Sequence, residues 1–134
     1  MHAALREQVR ERANNRCEYC LIHQEHDAFY VFPVDHVIAR QHDGPTQLDN
    51  LCLSCFRCNS HKGPNIASID PVTGSLTSLF HPREDDWDEH FEWDGALIIG
   101  RTPRGRATVK LLTMNHPDYV LLREALIEEG EFPP

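Results

Sequence analysis

Residues 17–20 read Cys-Glu-Tyr-Cys, residues 34–39 read Val-Asp-His-Val-Ile-Ala, and residues 48–63 read Leu-Asp-Asn-Leu-Cys-Leu-Ser-Cys-Phe-Arg-Cys-Asn-Ser-His-Lys-Gly. Two C-x-x-C pairs hold four of the five cysteines. Each such loop bends tightly enough to aim two thiolates at one ion, and two loops complete a tetrahedral site closed to substrate. Cys17, Cys20, Cys55 and Cys58 are therefore expected to bind a structural Zn²⁺. A redox role needs only one C-x-x-C and a thioredoxin-like βαβ setting, which this chain lacks. Cys52 reads as a buried strand cysteine, since a free thiol packs as a small hydrophobe.

Around these pairs the pattern predicts short elements. Leu5, Val9 and Ala13 fall at helical spacing, so residues 2–16 are expected to form a helix. A β-rich run, Phe29 to Val34, leads into Asp35-His36-Val37-Ile38, and residues 41–45 form a loop by their Gly-Pro chemistry. Leu51-Cys52-Leu53 is a short strand, and a helix opens near Asn59 and stops at Gly63-Pro64. Beyond a turn at residues 70–75, Phe91-Glu92-Trp93 and Leu97-Ile98-Ile99 are expected to pair through Asp94-Gly95. Thr102-Pro103 caps a helix to about Asn115, and His116-Pro117 opens another that ends at Gly130, with Val120, Leu121, Ala125 and Leu126 as its apolar stripe. Trp87, Phe91 and Trp93 read as core. The expected fold class is α+β, with residues 1–134 as a single domain: 1–66 as a core with an N-terminal helix, and 67–134 as an extension packed on it.

Composition narrows the function classes. With 134 residues, 40% hydrophobic and 25% charged, the chain is globular rather than disordered. Its longest uninterrupted apolar run, Ala28–Phe32, is far too short to span a bilayer. The first residues lack the apolar stretch of a signal peptide, so a cytoplasmic protein without a membrane partner is expected. The net charge of −8 argues against a polyanion as partner until the chain is divided. Residues 1–65 carry seven Lys/Arg against eight Asp/Glu, whereas residues 66–134 carry six against thirteen, seven of these acids within Glu84–Asp94. The acidity belongs to the second half.

Taken together, the C-x-x-C pairs, Asp35-His36, Asp49-Asn50 and Cys58-Asn59-x-x-Lys62 resemble the HNH endonuclease family in its zinc-knuckle form. The resemblance covers residues 16–63 and implies a small ββα core around one divalent metal, stapled by the four-cysteine zinc site and followed here by a β-hairpin and two helices. It implies His36 as the general base that activates water, and Asp35 and Asn59 as ligands of a catalytic Mg²⁺ or Mn²⁺. Asn50 matches the asparagine that braces the loop and orients the histidine. Where the family often carries a last histidine, this chain has Asn59. Histidine suits proton abstraction near neutral pH, and amide and carboxylate oxygens suit a hard cation. Adjacent strand residues point to opposite faces, so Asp35 and His36 converge only where the strand ends or bulges.

The function implied is metal-dependent hydrolysis of DNA phosphodiester bonds, with double-stranded DNA as partner. Lys62, Arg57 and Arg40 are the candidate phosphate contacts. Arg101–Arg106 reads either as a second phosphate grip or as a solvated turn paired with the acidic run. The rivals are a zinc module that binds nucleic acid without cutting it and a structural zinc protein with a protein partner. Neither needs His36, Asn50 and Asn59 at these spacings.

Overall fold

Helix α1 (Ala3–Arg12) starts where the His2 ring accepts from the Leu5 N–H. It ends short of the expected residue 16, because Asn14 (φ 53°) and Asn15 (φ 57°) turn into the left-handed region that asparagine tolerates. Val9 is its buried residue. The chain then folds back at Cys17–Cys20, with Leu21 N–H donating to Cys17 O and Cys17 N–H to Ile22 O.

The computed structural model describes residues 1–134. These divide into two compact units, Met1–Ile66 with His81–Asp85, and Ala67–Phe80 with Asp86–Pro134. The architecture is α+β, as expected, built from short strands in two-stranded antiparallel sheets.

In the first unit, β1 (Val34–His36) pairs with β2 (Leu51–Leu53) in the register Val34–Leu53, Asp35–Cys52, His36–Leu51. Helix α2 (Phe56–Lys62) follows directly, giving the expected ββα order. The β-rich run before β1 is not a strand. Asp27 Oδ1 accepts from the N–H groups of Phe29 and Tyr30, and Gln24 Oε1 accepts from that of Phe32, so side chains take the donors a neighbouring strand would need. Phe29 and Val31 consequently stand exposed. Helix α2 begins earlier than Asn59: Cys55 is its N-cap, its Sγ accepting from Cys58 N–H at 3.4 Å. The second knuckle is thus also the first turn of the helix, and Gly63 (φ 52°) stops it. Segment His81–Asp85 joins this unit through an ion pair of Arg83 with Glu18, whose other oxygen accepts from Leu53 N–H.

The second unit contains a hairpin not anticipated around residues 70–75, β3 (Ala67–Ile69) with β4 (Leu76–Ser78). Strands of three residues leave too little alternation to be legible in the sequence. After one turn of helix, α3 (Trp87–His90), the expected hairpin forms from β5 (Phe91–Asp94) and β6 (Leu97–Gly100). Helix α4 (Pro103–Leu111) is capped by Thr102, as read, but ends early where Thr113 takes φ 50°. Helix α5 (Pro117–Glu128) buries Arg123 and Leu126, while Leu121 is 64% exposed, so its inward face is rotated from the expected stripe. The rotation follows Arg123, whose guanidinium donates to Ala96 O, Met114 O and Asn115 Oδ1. Phe91 is core as expected, whereas Trp87 and Trp93 are half-buried, ring against ring with Phe91 and Phe132.

Candidate active site and metal centre

The four knuckle cysteines converge. Their Sγ atoms lie within 4.8 Å of one another, and all four residues are fully buried. Cys20 and Cys58 are pushed well above the ordinary thiol range, first by hydrogen bonding to Cys17 and then by the neighbouring sulfurs and burial. Four such groups ionise together only around a cation, so the cluster is built for a structural metal. Cys52 lies outside it, buried 3.8 Å from the Tyr19 hydroxyl and raised to about 12 by burial, an inert thiol.

One residue along α2 from Cys58, a second cluster of polar side chains forms between that helix and the end of β1. The Asn59 amide lies against the Asp35 carboxylate, 3.3 Å from both oxygens. With Nδ2 inward, Asn59 donates to the carboxylate. With Oδ1 inward instead, the amide would offer a third oxygen beside the carboxylate pair, the donor type a hard cation takes. Burial pushes the Asp35 carboxyl up, while the Lys62 charge and the His36 backbone N–H pull it back.

Asp35 and His36 do occupy opposite faces. The strand stops at His36, and the two side chains diverge, Asp35 toward α2 and His36 toward the loop 37–50. The His36 Nε2 lies 2.8 Å from Thr46 Oγ1. Asn50 is 4% exposed and clips that loop: its Oδ1 accepts from Ile38 N–H, and its Nδ2 donates to Ile38 O and Pro45 O. The loop passes so close to itself at Gly44 that a Cβ there would sit 1.7 Å from Ile38 O.

Of the three candidate phosphate contacts, Lys62 is placed elsewhere. It is 1% exposed, its Nζ donating to Val37 O at 2.9 Å and standing 3.9 Å from Asp35. Helical spacing sets it on the face of Asn59, but that face packs on β1 rather than on solvent. Arg40 is exposed in the turn after β1, and Arg57 is half-buried on α2. In the second unit, Arg106 makes a bidentate pair with fully buried Asp70, at 2.9 and 2.8 Å, and Arg101 sits 3.9 Å from Glu92 and donates to Asp88 O. Thr46 and Glu18 were invisible to sequence reasoning, because neither carries a motif; only Gly44-Pro45 marked the loop.

The spacing and the geometry meet in the comparison with known proteins. Residues 17–65 match the HNH endonuclease family. The HNH match runs from the first knuckle through both strands and α2, so it contains every residue of the two sites just described. It supports a nuclease-type function and a nucleic-acid substrate. The chain is also similar to the Septu protein PtuB of Bacillus thuringiensis, 26% identical over 119 residues that make up 87% of this chain and 43% of that protein. The chain thus spans less than half the length of that relative, and the likeness extends past the HNH stretch into the second unit. No solved structure matches. No helix is long and apolar enough to cross a membrane.

Proposed function

We propose that the protein is a metal-dependent endonuclease that hydrolyses phosphodiester bonds of double-stranded DNA. The observation that carries this reading is the meeting of Asp35 and Asn59 between α2 and the end of β1, where His36 follows Asp35 in sequence, inside the HNH stretch. The donor atoms fit the groups they are proposed to hold: carboxylate and amide oxygens for Mg²⁺ or Mn²⁺, four thiolates for Zn²⁺. Asp35 and Asn59 would hold the divalent ion, which would supply charge stabilisation to the scissile phosphate and its leaving oxygen.

The remaining work falls to the protein's own side chains. His36 takes a proton from the attacking water. Asn50 fixes the loop against which the His36 ring rests. Lys62 holds positive charge beside Asp35, which favours the ionised carboxylate. Arg40 and Arg57 are the phosphate contacts that remain once Lys62 is buried. The four-cysteine site holds its metal away from substrate, because its sulfurs have no exposed face.

Supercoiled plasmid incubated with the protein should be nicked or cut when Mg²⁺ or Mn²⁺ is present. Mild EDTA should stop this and added metal restore it, with zinc content and circular dichroism unchanged. Plasmid bound but uncut across a panel of divalent metals would favour a non-cleaving zinc module instead.

A further inference from the structure

The His36 ring has two nitrogens, and only one carries a proton when the imidazole is neutral. Which one is set by the partner of the other. Here Nε2 is the nitrogen with a partner, Thr46 Oγ1 at 2.8 Å. Thr46 is itself placed by the buried brace of the loop: Asn50 Nδ2 holds Pro45 O, the carbonyl of the peptide bond that leads into Thr46. Ile38 O, the other acceptor of Asn50, is the atom against which Gly44 closes. The exposed Thr46 hydroxyl can accept from the ring while it donates its own proton to solvent.

We infer that Thr46 is a positioning residue for His36: its Oγ1 accepts from Nε2–H and so leaves Nδ1 unprotonated, the nitrogen able to take a proton from water. This deepens the nuclease reading and rests on it for its catalytic consequence, although the tautomer itself does not. The braced loop therefore acts on the ring through one hydroxyl, and the path runs from Asn50 through Pro45 and Thr46 to His36. A valine at position 46 keeps the shape and removes the acceptor; a serine keeps the acceptor.

The direct readout is nitrogen NMR on the full-length protein with ¹⁵N-labelled histidine, the His36 signals assigned by their loss in His36→Ala. Wild type should show the neutral ring protonated at Nε2, and Thr46→Val should show a mixture of the two tautomers. Plasmid nicking at saturating Mg²⁺ or Mn²⁺ gives the second readout. Thr46→Val should lower turnover by about 10- to 100-fold, the usual worth of a partner that orients a functional imidazole. The metal concentration needed for half-maximal rate should not move, and Thr46→Ser should recover most of the turnover. A wild-type ring protonated at Nδ1, or a Thr46→Val protein that turns over like wild type, overturns the inference. Wild type that never cuts removes the nuclease reading instead, and the tautomer measurement then decides the role of Thr46 alone.

Discussion

Asn59 and Lys62 sit three residues apart on one helix face and end in opposite circumstances. Asn59 meets Asp35 at the half-open end of β1, whereas Lys62 is sealed beneath it with Nζ on Val37 O. An exposed phosphate contact and a buried counter-charge make different demands in solution. Each phosphate neutralised adds to the slope of log affinity against log salt. Lys62→Met should therefore lower thermal stability, since it strands Val37 O and the Asp35 charge, while leaving the salt slope of DNA binding unchanged. Arg40→Ala should do the reverse, reducing the slope with little effect on melting. Asn59→Ala should slow cleavage by weakening the metal, so raising the metal concentration should recover part of the rate. The sequence could name Asp35, His36, Asn50 and Asn59 because a motif carries them. It could not tell that Lys62 is buried, because helical spacing fixes a face and not what covers it.

At the scale of elements, the ββα order was legible and its edges were not. Leu51-Cys52-Leu53 is a strand buried throughout, and its apolar run said so. Phe29–Pro33 is rich in the same residue types but fails as a strand, because Asp27 and Gln24 cap its donors through contacts that no periodicity records. Helix ends drifted for a related reason: Asn14, Asn15 and Thr113 enter the left-handed region without a glycine to announce it. The loop 37–50 is the element on which the site depends. Gly44→Ala would drive a Cβ into Ile38 O, and a backbone atom cannot swing aside. Stability should fall by about 1–3 kcal/mol, the range for overpacking, as a melting experiment would read. Nicking should fall further than stability accounts for, since the loop carries Thr46 to His36.

For the molecule as a whole, each unit has its own staple. In the first, Cys17→Ser or Cys58→Ser should give insoluble or unfolded protein without stoichiometric zinc, while Cys52→Ser, outside the cluster, should be mild. Metal analysis and solubility check both. In the second, Asp70 ties the β3–β4 turn to α4 through Arg106, with Val72 N–H and the Thr73 hydroxyl also donating to it. The Arg106 hydrogen bonds hold its carboxyl well below the usual range. A carboxylate depressed on folding stabilises above its unfolded value, near pH 4, and loses that contribution as pH falls toward its folded value. Acid melting of wild type should therefore steepen below about pH 4, and Asp70→Asn should remove that part of the pH dependence. Neither half of this clamp was legible: Asp70 read as a turn residue, and Arg106 as part of either a phosphate grip or a solvated turn.

The central claim is that His36 activates water beside a metal held by Asp35 and Asn59, and His36→Ala tests it most directly. With zinc content, circular dichroism and DNA binding near wild type, its plasmid-cleavage rate should fall by about 10²–10⁴, the usual worth of a general base, and added metal should not recover it. A His36→Ala protein that cuts as fast as wild type would contradict the account.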